Sequence, residues 1–327
     1  MKKPQHFLFL LVEEFAHIAF SCAVEPLRIA NLVSGEELYT WSFASEDGAL
    51  ATCSNGSQML VQHSFDDLPN CDRAFVLSGG NMTDYITPNL VGALRQLRLK
   101  GVKLGGLCSG AWILAEIGFL DGKRAAIHWE FHDGFVERFH NISLINSIFV
   151  ADENIITASG GTATADLMLH LVEIEHGYDL SLTVADQMVY SASRDAESTQ
   201  KRSFQSRYAV RNAYLARAVQ MMKDQIEEPV STTFIAEEIG ISARQLERLF
   251  GKYTHTSPKK YYMDLRMERA RHLLNQTEAS ISEIALACGF DNPAYFSKIF
   301  RSTYGHPPSQ ARQDRIVTKA AYQSVSF

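Results

Sequence analysis

No stretch of this sequence approaches the roughly 18 consecutive apolar residues that a membrane-spanning helix needs, so no span and no membrane partner are expected. Cysteine is scarce, with five at positions 22, 53, 71, 108 and 288. An odd number without framework spacing excludes a disulfide-built scaffold and fits a reducing cytoplasm. The cysteines also lack metal-ligand spacing: Cys53 and Cys71 have no companion at such a distance, and Cys22 and Cys288 fall in helical apolar patterns. Neither a metal nor a cofactor is therefore expected. Tryptophan is limited to Trp41, Trp112 and Trp129. The start, Met1-Lys2-Lys3-Pro4 followed by Phe7 to Val12, superficially resembles a signal peptide. Its apolar run is short and leads into Glu13 and Glu14 instead of a small-residue cleavage site, so a buried first strand is the better reading.

What is present is an ordinary globular balance of 46% hydrophobic and 21% charged residues over 327 positions, enough for two domains. The net charge of −6 hides an asymmetry. Residues 200–327 hold 19 Lys and Arg against 12 Asp and Glu, a net +7, which leaves −13 for residues 1–199. A basic end on an acidic body is the footprint of a chain that meets a polyanion with its C-terminal part.

Residues 7 to about 190 alternate between strand-like and helix-like text. FLFLLV (7–12), YTWSFAS (39–45), AFVLSGG (74–80) and KLGGLCSG (103–110) are short apolar runs, with helical patterns near 22–32, 89–100, 111–117 and 165–176. That alternation predicts an α/β domain with a mainly parallel sheet. Ligands of such sheets sit at the carboxyl ends of strands, where Gly79-Gly80 and Cys108-Ser109 fall. From about 194 to 210 the text turns polar and aperiodic, as in a connection between domains. After it everything reads helical.

The helical part contains a repeat. Ile235, Ala236 and Gly240 recur as Ile284, Ala285 and Gly289. Leu246, Leu249 and Phe250 recur fifty residues later as Phe296, Ile299 and Phe300. Each copy has helix-turn-helix logic. In the first, Ile235, Ala236 and Ile239 share a face, Gly240 ends the helix, and Ser242 caps ARQLERLFGKY with Leu246, Leu249 and Phe250 inward. Ser242, Ala243, Arg244, Gln245, Glu247 and Arg248 then point outward near the helix start, where side chains reach base edges in a major groove. Arginine bonds guanine and glutamine bonds adenine in bidentate fashion. In the second copy, Asp291 or Asn292 caps and Pro293 suits the first turn. Tyr295, Phe296, Ile299 and Phe300 form the apolar side, leaving Asn292, Ala294, Ser297, Lys298 and Arg301 for groove or phosphates. Between the copies, SPKKYYMDLRMERARHLLNQ reads as one long helix with Leu265, Ala270, Leu273 and Leu274 as its buried stripe. A rigid connection of this kind would set two recognition helices one DNA turn, about 34 Å, apart.

Residues from about 212 to 315, above all GFDNPAYFSKIFRSTYGHPPSQAR, resemble the DNA-binding domain of the AraC/XylS transcription regulators. The resemblance implies a seven-helix, bipartite DNA reader that usually activates transcription. Residues 5 to 190 resemble the DJ-1/PfpI-like, class I glutamine-amidotransferase-like fold through AVEPLRIAN (23–31), LGGLCSGAWILAEIGFLDGKRAAIHWE (104–130) and ASGGTATADLMLHLVE (158–173). The two together look like the GlxA-type regulators, some of which respond to arginine or to quaternary or methylated amines such as glycine betaine, dimethylglycine or carnitine. The implied organisation is an effector-sensing and dimerisation domain over 1–195, a linker over 196–211, a DNA-binding domain over 212–315, and a tail over 316–327 without a reading.

Cys108 sits in a turn of nucleophile-elbow type, where the following helix start is expected to favour a thiolate. His128 matches the histidine that accompanies this cysteine in DJ-1-like proteins. Two departures argue against catalysis. Ala19 stands where DJ-1-like enzymes place an acid, and Ser109 where the protease-like branch has histidine. The expectation is a non-enzyme in which Cys108, Ser109, His128, Gly79 and Gly80 are pocket walls. Trp112, Trp129 and Glu130 would attract a cationic amine, since aromatic faces bind quaternary ammonium groups. The expected partners are promoter DNA, a small amine or amino-acid-derived effector, RNA polymerase and a second copy of the chain. The alternatives are an amidase- or glyoxalase-like enzyme at Cys108, or a sensor that oxidises it.

Overall fold

Alternation along the first strand sets the layers of the N-terminal part. Phe7, Phe9 and Leu11 enter one core and Leu8 and Leu10 the other, all almost completely buried. A strand apolar on both faces belongs in the middle of a parallel sheet covered on both sides. The computed structural model describes residues 3–151, 155–190 and 213–313. By its contacts the chain divides into two units, residues 1–200 and 201–327. The linker expected over 196–211 and the tail over 316–327 lie outside the described residues.

The strands of the first unit are β1 (Gln5–Leu11), β2 (Tyr39–Ser45), β3 (Leu50–Thr52), β4 (Gln58–Leu60), β5 (His63–Ser64), β6 (Arg73–Ser78), β7 (Lys103–Cys108), β8 (Arg124–Ala125), β9 (Ser143–Leu144), β10 (Phe149–Ala151) and β11 (Ile155–Ala158). Seven of them form one sheet in the order β5-β2-β1-β6-β7-β11-β10, parallel except where β10 pairs with β11. Helices α1 (His17–Ser34), α2 (Pro88–Leu99), α3 (Gly110–Glu116), α4 (His132–Arg138), α5 (Ala163–His176) and α6 (Tyr178–Gln187) cover it. One face is packed by α1, α5 and α6, the other by α2, α3 and α4. The chain leaves β1 for β2 on one side and returns to β6 on the other. That reversal, the point at which open parallel sheets bind ligands, falls at the carboxyl ends of β1 and β6, beside the end of β7.

Among the described residues the second unit is all helix: α7 (Ala213–Asp224), α8 (Thr232–Glu238), α9 (Ala243–Thr254), α10 (Pro258–Gln276), α11 (Ile281–Ala287), α12 (Pro293–Tyr304), and a segment over 308–313. It has two small cores. Leu215, Ile235, Leu246 and Phe250 fill the first; Ile284, Phe290, Phe296 and Phe300 fill the second. The long helix α10 serves both. It gives Tyr262 and Leu265 to one, and Met267, Ala270, Leu273 and Leu274 to the other. Leu265, expected in the buried stripe, is only half-buried, while Tyr262 and Met267 are buried. The two halves are held to each other through α10. The Tyr262 hydroxyl donates to the Gln225 carbonyl at 2.5 Å, and Arg269 pairs with Glu227 at 2.6 Å. Arg266 donates to the Cys288 and Gly289 carbonyls at 2.8 and 2.6 Å and stacks on the Phe290 ring at 3.8 Å. Those carbonyls end α11, so the guanidinium satisfies groups that a helix terminus leaves open. Gly289 has φ +75°, and a Cβ there would come within 2.6 Å of Pro229 and the Ile226 carbonyl, so only glycine fits this contact between the halves.

Candidate effector site and DNA interface

The end of β7 makes a hard turn. Cys108 has φ +60°, a conformation that costs a non-glycine residue of order 1–3 kcal/mol. The close packing around it over-determines that geometry. A Cβ on Gly110 would sit 2.2 Å from the Val76 carbonyl, and one on Gly160, itself at φ +81°, would sit 2.6 Å from the Cys108 Cβ. The Ser109 hydroxyl donates to the Gly79 carbonyl at 2.6 Å and meets the Ser78 hydroxyl at 2.8 Å. Gly79 in turn lies against the Glu14 carbonyl, with no room for a side chain. Ser109 and Gly79 are therefore buried wall, whereas Gly80 is exposed. Glu14 accepts from the Asn81 amide at 2.7 Å. Glu13 accepts from the Thr52 backbone N–H at 3.1 Å, and burial pushes its carboxyl above the usual range.

Two expectations are corrected here. The Cys108 thiol is held neutral, pushed up to about 12 by burial, with Glu130 acting in the same direction and only a hydrogen bond from the Ser109 backbone opposing. Desolvation outweighs the start of the seven-residue helix α3. Trp112 does not offer a ring face to the elbow. It is fully buried, with its ring edge-to-face against Phe135 and Phe139 at 5.9 and 5.3 Å. Ala19, where an acid would support catalysis, is buried in α1.

The remaining residues do converge. The His128 backbone N–H donates to the Cys108 carbonyl at 3.4 Å, which hangs the segment 128–131 beside the elbow. Its Nδ1 accepts from the Glu130 N–H at 3.4 Å and lies 3.9 Å from the Glu130 carboxylate. Its ring packs on Trp129 and Phe131 at 5.3 and 6.1 Å. His128 and Trp129 are half-buried, Glu130 is exposed and Phe131 is buried in the core beneath them, so two aromatic rings and a carboxylate share one lip. Gly160-Gly161 closes the elbow from the β11 side. The sequence ASGGTATAD held this signal, but nothing local tied it to Cys108. A separate hollow of about 360 Å³, lined by Gln5, Arg73, Lys100 and Lys103 among others, lies at the amino ends of the strands, away from the elbow.

In the second unit, α9 and α12 are twelve residues each and lie fifty positions apart. Ser242, Ala243, Arg244, Gln245, Glu247 and Arg248 are exposed, as are Asn292, Ala294, Lys298 and Arg301; Ser297 is half-buried. Three of these side chains are committed to capping. Gln245 accepts from the Ser242 backbone N–H at 2.8 Å while Ser242 accepts from the Gln245 N–H at 3.3 Å, a reciprocal capping box. Asn292, rather than Asp291, caps α12 through the N–H groups of Ala294 and Tyr295. Gln245 thus spends the carbonyl that bidentate adenine recognition would need. Tyr295, expected inward, is half exposed, because Phe290 occupies the space beneath it.

Paired helix-turn-helix units with outward basic side chains, in one chain with a sheet-and-elbow domain, define a DNA-binding transcription regulator with a ligand-type α/β domain. The chain belongs to the AraC-type regulators that carry a DJ-1/PfpI domain: the DJ-1/PfpI family model matches residues 5–174 and a helix-turn-helix domain model residues 235–314. It is 40% identical over 308 residues to the HTH-type transcriptional regulator CdhR of Pseudomonas aeruginosa, covering 94% of this chain and 91% of that one. It is 39% identical over 312 residues to the regulator GbdR of the same species, covering 95% and 85%. The crystal structure of an AraC family transcriptional regulator from Pseudomonas putida superposes with a TM-score of 0.51 at 27% identity, covering 57% of this chain and all of the other.

Proposed function

We propose that this protein is an effector-controlled transcription activator and not an enzyme. Its N-terminal unit binds a small amine or amino-acid-derived ligand and pairs two copies of the chain; its C-terminal unit reads promoter DNA for RNA polymerase. The observation that carries the DNA reading is the pair of exposed twelve-residue helices at a fifty-residue offset. Arg244, Glu247 and Arg248 face base edges from α9, with Ala243 beside them. Ala294 and Ser297 line the groove from α12, and Lys298 and Arg301 hold phosphates. Ser242, Gln245 and Asn292 fix the helix starts through their caps. Arg244→Ala and Arg248→Ala should each weaken binding to a selected duplex by about 1–3 kcal/mol and relax the base preference at one position. Unchanged selectivity in both would remove α9 as the reader.

The effector reading rests on the lip formed by His128, Trp129 and Glu130 beside Cys108. Aromatic faces and a carboxylate favour a quaternary or methylated ammonium, or a guanidinium of arginine type. The ligand shifts the DNA-binding state only through differential affinity for two arrangements of the protein. Thermal denaturation of the full chain against glycine betaine, carnitine and arginine tests this. A ligand at a hundred times its dissociation constant stabilises by about 2.7 kcal/mol, with the ligand recovered intact. No shift with any amine overturns the effector class.

The strained backbone at Cys108 favours one second reading, cysteine chemistry coupled to DNA binding, either as an amidase- or glyoxalase-like reaction or as oxidation of the thiol. The neutral, buried thiol speaks against it. Cys108→Ala separates the two, since a sensor retains ligand-dependent promoter activity and an enzyme or redox switch loses it.

A further inference from the structure

Helix α9 carries a glycine in its interior that the folded chain does not use. Gly251 sits within the regular helix without a positive φ, and beyond its chain neighbours and the helix's own backbone no atom lies within 4 Å of where its Cβ would stand. Glycine in an exposed helix interior costs about 0.8–1 kcal/mol relative to alanine. Gly92 in α2 shares the exposure and the open space, so what sets Gly251 apart is its place in a helix-turn-helix unit.

Its position on the helix is informative. Seven residues make two turns less about 20°, so Gly251 lies directly in line with Arg244, between the directions of Glu247 and Arg248. It occupies the middle of the exposed face, opposite the inward Leu246 and Leu249. The second unit supplies a comparison at the fifty-residue offset. Where α9 has Arg244 and Gly251, α12 has Ala294 and Arg301, all four exposed. Side-chain length therefore runs in opposite senses along the two faces. In line with Arg244 the first helix has no side chain at its far end, where Lys252 lies to one side over the Tyr253 ring; the second is short at its start and reaches out at its far end.

We infer that Gly251 is the point at which the backbone of α9 comes closest to the DNA, against the sugar-phosphate wall of the groove, with Ala294 the corresponding point on α12. Glycine is the residue that lets a backbone approach a ligand closely. A side chain at 251 props the helix away from the duplex, while Arg301 spans the larger gap at the same position of the second unit. The inference rests on α9 being a DNA-reading helix.

The test uses the full chain and duplexes enriched by it from a randomised pool, measuring affinity, its salt dependence and the thermal midpoint. Gly251→Ala should raise or preserve the midpoint, because alanine is the better helix former in open space. It should weaken binding by about tenfold or more with an unchanged salt slope, the signature of a steric contact. Arg301→Ala, in contrast, should lower the slope by about one phosphate contact. Native-like affinity of Gly251→Ala overturns the inference. So does a fall in its midpoint, which would show that the space is not open in the free protein. If Arg244→Ala and Arg248→Ala also bind like the native chain, α9 is not a reader and the inference falls with that assignment. If they weaken binding while Gly251→Ala does not, the close approach alone is wrong.

Discussion

At the scale of single residues, Cys108 and Gly160 form one unit of strain. The left-handed cysteine exists because its neighbours leave no alternative, and Gly160 is the neighbour packed directly on its Cβ. Gly160→Ala should destabilise the protein by roughly 1–3 kcal/mol in denaturant titrations, through both its positive φ and the collision with Cys108. The thiol itself carries a pH signature. Its ionisation is pushed above the ordinary cysteine range in the folded chain, so its contribution to stability is complete below about pH 8.5. It is lost as pH rises toward the folded value, because the unfolded chain gives up the proton first. Denaturant titrations over that range should therefore fall more steeply for the native chain than for Cys108→Ala; parallel curves would show an accessible thiol. Trp112 marks the boundary of what the sequence discloses at this scale. Adjacency to the elbow in sequence suggested a pocket wall, but α3 turns its side chain into the layer held by Phe135 and Phe139. The direction in which one helical residue points depends on packing partners some twenty-five residues away, which a local pattern does not contain.

At the scale of elements, the helices of the second unit begin on short polar caps: Ser231, Ser242, Ser257, Ser280 and Asn292 each accept a backbone N–H of the first turn. Ser280→Ala should cost about 1 kcal/mol, seen as a lower thermal midpoint. The Ser280–Glu283 box also depends on charge. Hydrogen bonds from the Ser280 backbone and side chain hold the Glu283 carboxyl below its usual range. The stabilisation is present above the ordinary glutamate value, about 4.3, and is lost as pH falls through the depressed one. The midpoint difference between the native chain and Glu283→Gln should accordingly be seen at neutral pH and vanish in strong acid. These elements were largely legible in the sequence, because caps, glycine stops and periods of 3.6 are local. The strand β11 and the antiparallel edge β10 were not; they are four and three residues long, and their place in the sheet comes from pairing with a distant strand. Tyr295 followed the apolar period on paper yet lies half outside, because the ring of Phe290, delivered by the preceding turn, fills the inner position.

At the scale of the whole molecule, charge is divided between the two units, and the basic one carries the paired helix-turn-helix units. DNA binding by the full chain should therefore weaken steeply and log-linearly with added salt, with a slope that counts the phosphates held by residues such as Lys298 and Arg301. A flat salt response would mean that the basic face is not the contact surface. Domain order and fold class were readable from alternation, repeat and charge, whereas the lip of His128, Trp129 and Glu130 required the fold to hang that segment on the Cys108 carbonyl. One feature of the second unit reaches beyond the protein. The Arg266 clamp, the Tyr262 and Arg269 ties and the seat of Gly289 on Ile226 and Pro229 hold the two readers as a single gauge of fixed length. A base-pair insertion between the two recognised sites moves one by 3.4 Å and turns it by about 35°, a displacement this gauge has no joint to absorb. Operators for such a protein are free to drift in letters while their spacing stays frozen, so a genome should conserve the distance between its half-sites more strictly than either half-site's text.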